Sequence, residues 1–320
     1  MRSRASVPAE GVGAGAAAAR VNLPGIAAAP SASYVRRLAW WGLAFVTPAL
    51  LFLLAFQAYP LGFAVWISLH DYDLLTPPRW VGLKHYASLV SDRAFLRSLG
   101  VTVAYVVWTV VPVLGFSFAL GWLVSRLDHA RGMWRTLLFL PTLMPIISVA
   151  LVWKLMFNQA GPLNDLLGHV GVAPVPWLTD SRVAPWALVL MSWWHATSYY
   201  MVIFLAGFLA IPRDIYAAAS LDGARGWGML RYVTLPLMRR TILLVVVLAT
   251  VNGLKTFAFQ QVLTTGGPAN ATQILTLLIY QTAFSYLDMG RASAYSMVLF
   301  GGILAFSLAQ IWLLREGRGG

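Results

Sequence analysis

Long apolar runs separated by short polar stretches dominate the chain. Six blocks stand out: Leu38–Leu69, interrupted at Pro60; Leu99–Val124; Leu137–Phe157; Pro185–Ile211; Thr241–Leu263; and Ala292–Leu314. Each reaches the ~20 residues that an α-helix needs to cross a hydrocarbon core. None shows the alternation of a half-buried strand. The pattern predicts an all-α membrane protein with six transmembrane helices. The third block is the least regular, because Pro141 and Pro145 fall in its first turns and Lys154 near its end. Residues 1–33 are rich in Ala, Gly, Pro and Ser and are read as a disordered tail, with the membrane domain over 34–320.

Composition supports the same class. Hydrophobic residues make up 59% and charged residues 11% of 320 positions, against about 25% charged in soluble domains. The net charge of +12 comes from the distribution of Lys and Arg rather than from a nucleic-acid patch. Fifteen fall in the N-terminal tail, the loops after the second and fourth blocks and the C-terminus; six fall in the other three loops. The positive-inside rule then puts both termini in the cytoplasm. Trp40, Trp41, Trp134, Trp186 and Trp312 sit at block ends, as interfacial aromatic residues do.

Several chemistries are excluded. There is no cysteine, and the five histidines have no metal-ligand spacing. All eleven acids fall outside the blocks, so the intramembrane carboxylate of many ion-coupled transporters is missing. None of the three lysines follows a glycine, so no P-loop exists and the chain carries no ATPase of its own.

The loop between the fourth and fifth blocks, about 212–236, holds the most informative motif. Pro212 and Asp214 suit a helix start, and Ala217, Ala218 and Ala219 are strong helix formers without bulk. Gly223 permits a sharp turn, and Pro236 suits the opening of the next span. Local chemistry thus predicts a short helix, a glycine turn and a second short helix re-entering the membrane.

This loop resembles the signature of inner-membrane permeases of ABC importers: Glu-Ala-Ala, three residues, Gly, nine residues, then Ile-x-Leu-Pro. Ala218, Ala219, Gly223, Leu235 and Pro236 match; Val233 stands for the isoleucine and Ala217 for the glutamate. Segments around Phe139-Leu140-Pro141, Gly161-Pro162-Leu163-Asn164 and Leu263–Pro268 resemble the carbohydrate branch, of maltose and glycerol-phosphate type. The resemblance runs from about Leu38 to Leu314 and implies a type I importer permease fold. It also implies an ATPase-coupling loop through Tyr216, Ala217, Ala218, Ala219, Asp222, Gly223, Leu235 and Pro236. The implied partners are a second, non-identical permease, two cytoplasmic ABC ATPases that bind ATP and Mg, and an extracytoplasmic substrate-binding protein. This chain would bind no cofactor or nucleic acid, and would lie among the lipids of a bacterial inner membrane. The rival reading is a stand-alone secondary transporter or channel.

A sugar needs amide and hydroxyl partners with aromatic platforms. Trp193, Trp194 and Tyr199 in the fourth block, and Asn252, Lys255 and Gln260 in the fifth, are the candidate substrate-path residues. His195, Thr197, Ser198, Tyr200, Thr256 and Gln261 are the other polar residues there.

Overall fold

The computed structural model describes residues 32–127 and 131–315. Two units divide the chain at Tyr59. In the first, α1 (Ala32–Leu53) carries Pro48, and Thr47 Oγ1 donates to the carbonyl of Leu43 at 2.7 Å. A π-turn over Leu54–Ala58 follows. The tail expected over residues 1–33 lies almost wholly outside the described residues.

The second unit begins at the second residue of α2 (Tyr59–Ser68). Two short strands, β1 (His70–Asp71) and β2 (Arg79–Trp80), pair antiparallel, and α3 (Lys84–Leu89) follows. The 33-residue α4 (Arg93–Ser125) is the longest element. Next come α5 (Arg131–Leu143), α6 (Ile146–Met156), α7 (Pro162–His169) and α8 (Ala184–Leu209). The loop helices α9 (Arg213–Leu221) and α10 (Gly226–Met229) lead through a π-turn into α11 (Leu235–Leu254). Last are α12 (Ala258–Leu263), α13 (Leu275–Tyr280) and α14 (Met289–Arg315).

Among the described residues, five helical stretches are long and apolar enough to span a membrane, and α5 with α6 makes a sixth if a bent pair counts as one. That pair departs from the straight span expected over 137–157: its halves meet at 90°. Pro145, at φ −56° and ψ 129°, has no N–H and holds an extended conformation just before α6. The expected fifth span is also interrupted. Lys255 ends α11, and Phe257 at φ −151° separates it from α12.

The core is built on α4 and α8. Their backbones approach closely at Gly121, where an added Cβ would stand 3.1 Å from the carbonyl oxygen of Met201. Small residues permit such contact where no hydrophobic force separates helix from lipid. Val113, Leu188, Met191, Phe204 and Val245 are fully enclosed around this seam. Ser117 Oγ donates to the Thr197 carbonyl across it at 3.1 Å.

At the other end of α4, Asp92 caps the helix by accepting from the N–H groups of Ala94 and Phe95 at 2.9 and 3.2 Å. Its second oxygen takes Arg291 Nη2 at 2.8 Å and the Tyr295 hydroxyl, both from α14. Burial pushes the Asp92 carboxyl up, but the hydrogen bonds from Tyr295 and Phe95 and the Arg291 charge outweigh it. The net effect holds the group below the usual carboxylate range.

Candidate functional site

Two regions carry functional geometry. The first is a chamber of about 330 Å³ lined by α4, α8, α11 and α12 with the α5–α6 bend. α4 places Tyr105 and Thr109 on one wall, four residues and so about one turn apart. α8 supplies Ser192, His195 and Tyr199, three and four residues apart on one face, and α11 supplies Asn252. Asn252 Nδ2 donates to the Tyr200 hydroxyl at 3.1 Å. The rings of Tyr199 and Tyr200 meet edge-on at 5.1 Å, and His195 meets Phe259 edge-on at 5.5 Å. Thr109 Oγ1 and Thr142 Oγ1 are buried without a hydrogen-bond partner. Among the described residues, no carboxylate, lysine or arginine lines the chamber. It therefore offers hydroxyls, an amide, the His195 imidazole and aromatic edges, and no fixed charge.

The second region is the α9 loop, at the C-terminal end of α4. α9 lies beside that end, because Trp122, Arg126, Phe208, Arg213, Tyr216 and Ser220 share one cavity there. The helix closes on Gly223 at φ +86°. The Ala224 N–H reaches the Ala219 carbonyl at 2.9 Å and the Gly223 N–H reaches Ser220 at 3.2 Å, forming a Schellman cap. The backbone turns back through Gly226, at φ +52°, into α10. Tyr216 is half-buried, and its hydroxyl accepts from Thr234 Oγ1 at 3.4 Å, tying α9 to the base of α11. No residue of α9 is buried, and Leu221, Trp227 and Tyr232 are 91%, 69% and 73% exposed. Burying such large apolar groups against a partner is strongly favourable.

Residues 112–315 match the model of the binding-protein-dependent transport system inner membrane component family. The chain belongs to this family. Such a component is the membrane-spanning permease subunit of a binding-protein-dependent importer. Among its relatives is the trehalose/maltose transport system permease protein MalF of Thermococcus litoralis. That protein is 35% identical over 284 residues, covering 87% of this chain and 93% of the relative. The sn-glycerol-3-phosphate transport system permease protein UgpA of Agrobacterium fabrum is 31% identical, over 83% of this chain and 91% of its own length. A solved bacterial ABC transporter involved in importing the acidic polysaccharide alginate has a chain that superposes with a TM-score of 0.77. The superposition covers 88% of this chain and 96% of that chain, at 20% identity. The fold is thus that of a type I importer permease.

Within this permease, the substrate-path residues named from sequence divide into three groups. Tyr199 and Asn252 line the central chamber. Gln260 is fully buried and lines a neighbouring cavity instead. Trp193, Trp194 and Lys255 line neither. Trp193 Nε1 donates to the Trp108 carbonyl at 2.8 Å, so its indole braces α8 against α4. Trp194 meets Trp153 edge-on at 5.7 Å and is 41% exposed. Lys255 is exposed in the break after α11. The helical phase explains the split, since Trp193 and Trp194 lie on α8 faces adjacent to the Ser192–His195–Tyr199 stripe. Thr109 and Thr142 were not legible as chamber residues. Each is a single hydroxyl in an apolar run, with nothing local to separate it from a helix-bonded threonine. Of the residues expected to form a coupling loop, Ala217, Ala218 and Ala219 form the middle of α9, Asp222 caps it and Gly223 turns it, while Leu235 and Pro236 open α11.

Proposed function

We propose that this chain is one of two paired permeases in an ATP-driven importer of neutral sugars or related polyols. The uncharged chamber carries this reading: a hydroxylated ring finds Asn252, Ser192, Thr109 and Tyr199 there and no fixed charge. Desolvating a phosphate or carboxylate in such a site without a countercharge is strongly unfavourable. The relatives' names support the sugar class. The α9 loop then serves as the coupling element. Its exposed Leu221, Trp227 and Tyr232 suit docking on a separate ABC ATPase that binds ATP and Mg. Ala217 leaves that helix without the acid expected from the family motif, and Asp214 and Asp222 are the nearest carboxylates on it. The α9 end faces the cytoplasm with both termini, in a bacterial inner membrane. The N-terminal end of α4 faces a substrate-binding protein outside. Closure of the ATPases draws the coupling helices together and rocks the two permeases between inward- and outward-facing states.

The test is reconstitution of the chain with its partner permease, ATPases and binding protein in proteoliposomes. ATP-dependent uptake of a neutral sugar that is lost in Asn252→Leu, with assembly intact, supports the reading. Uptake by the purified chain alone, without ATP, overturns it in favour of a stand-alone transporter.

A further inference from the structure

A second cavity, of about 210 Å³, lies toward the N-terminal end of α4, between α4, the first turns of α8 and residues 271–274. Three observations set it apart from a packing defect. Trp108 and Trp186, both lining it, pair edge to face at 5.1 Å and supply aromatic surface. Gln260 lines it while fully buried, and its amide Nε2 has no hydrogen-bond partner. An unpaired buried amide donor is costly, so an acceptor from a ligand is favoured there. Finally, Tyr105 is the residue common to both cavities. Its hydroxyl is hydrogen-bonded at 2.6 Å to Ser192 Oγ, which lines the central chamber. A 92%-buried ring pinned in this way stands between the two spaces.

We propose that this second cavity is an outer saccharide-ring subsite, and that Tyr105, latched to Ser192, is the door between it and the central chamber. An aromatic pair with one free amide donor matches a sugar ring, whose faces are apolar and whose rim carries acceptors. A substrate would bind first beside Gln260, and breaking the Tyr105–Ser192 bond would open the way inward. The proposal rests on the central chamber being the substrate path and on the N-terminal end of α4 facing outward.

The chain has no cysteine, so single reporters can be read without background from it. In the complete transporter, Leu188→Cys reports the outer cavity and Ala249→Cys the central one; the native residues are 1% and 3% exposed. A membrane-impermeant methanethiosulfonate is applied from outside. Labelling of this chain is followed by mass spectrometry, with and without whichever of maltose, trehalose, lactose and sucrose the wild type takes up. Labelling at Leu188→Cys, slowed by that sugar, is the expected result. Tyr105→Phe, which keeps the ring and drops the latch, should speed labelling at Ala249→Cys about five- to tenfold, the equivalent of one neutral hydrogen bond. Tyr105→Ala should speed it further. If Leu188→Cys ignores the polar reagent but reacts with a lipid-soluble maleimide, the cavity opens to lipid and the proposal falls. Protection at Ala249→Cys without protection at Leu188→Cys removes the outer subsite and keeps the central path. Protection at Leu188→Cys with no labelling at Ala249→Cys in any transport state removes the central path instead. An unchanged rate at Ala249→Cys in both Tyr105 variants overturns the door.

Discussion

Asp92 does three jobs with one carboxylate: it caps α4, pairs with Arg291 and accepts from Tyr295. Its side chain is 7% exposed while that of Arg291 is 41% exposed, so the pair is partly screened and its capping and hydrogen bonds carry much of its worth. Asp92→Asn should cost about 1–3 kcal/mol, since it weakens several hydrogen bonds to a charged acceptor. Thermal unfolding of the detergent-purified chain at pH 7 measures this, and equal melting temperatures would remove the knot as a stabilising feature. The pH dependence has a definite sign. The folded carboxyl titrates lower than the unfolded one. Its contribution is therefore complete above about pH 4, the unfolded value, and fades as acid carries the pH down through the depressed folded value. Asp92→Asn should flatten that acid limb. Lys154 makes a different point at the same scale. Lys154 is exposed, and its Nζ donates to the Val262 carbonyl at 2.9 Å, near the C-terminal end of α12. Lys154→Met should loosen the α6–α12 contact by about 1 kcal/mol, read as a lower melting temperature with insertion unchanged.

Among the elements, α9 follows most directly from local chemistry. Alanines propagate it, Asp214 lies in its first turn, and Gly223 ends it in a left-handed conformation that an L side chain adopts at a cost of about 1–2 kcal/mol. Space is not the constraint there, since nothing lies within 4 Å of an added Cβ at Gly223. Gly223→Val should therefore leave the spans inserted and folded while redirecting the chain beyond α9. The expected outcome is loss of sugar-stimulated ATP hydrolysis and weaker co-purification of the ATPase. Full stimulation in a well-assembled Gly223→Val complex would detach the turn from coupling. The two broken spans differ in how readable they were. Pro141 and Pro145 mark the α5–α6 bend in the sequence itself. The break at residues 255–257 carries no proline, and part of its satisfaction comes from afar: Thr276 Oγ1 donates to the Thr256 carbonyl that the helix leaves unpaired. A partner twenty residues away leaves no local trace.

At the scale of the whole molecule, the neutral chamber and the two-ended distribution of Lys and Arg make separate demands. The chamber predicts selectivity. In the assembled transporter, a phosphorylated sugar should compete with its neutral counterpart at least about tenfold more weakly, the size of one unpaired charge-assisted hydrogen bond. Equal competition would place an unseen cation in the path. The charge distribution predicts sidedness: Leu221→Cys should label only from the cytoplasmic face and Thr179→Cys only from outside. Reversed labelling would invert the proposed orientation and, with it, the direction in which the two cavities are traversed.

Sequence alone was enough for the class of protein and the approximate spans, and it supplied the expectations of sidedness and of a coupling loop. Each depends on patterns within a few residues or on totals of charge, which survive without knowing where distant segments meet. The chamber was only partly legible. Tyr199 and Asn252 were identifiable as intramembrane polar groups, but so were Trp193 and Trp194, which brace helices instead. What decides between a lining residue and a brace is which neighbour each helix face meets. That was set by the close approach of α4 and α8 at Gly121 and by the bend at Pro145. Tertiary structure likewise placed Gln260 in a second cavity and set Tyr105 between the two, because both positions arise from the packing of segments far apart in the chain.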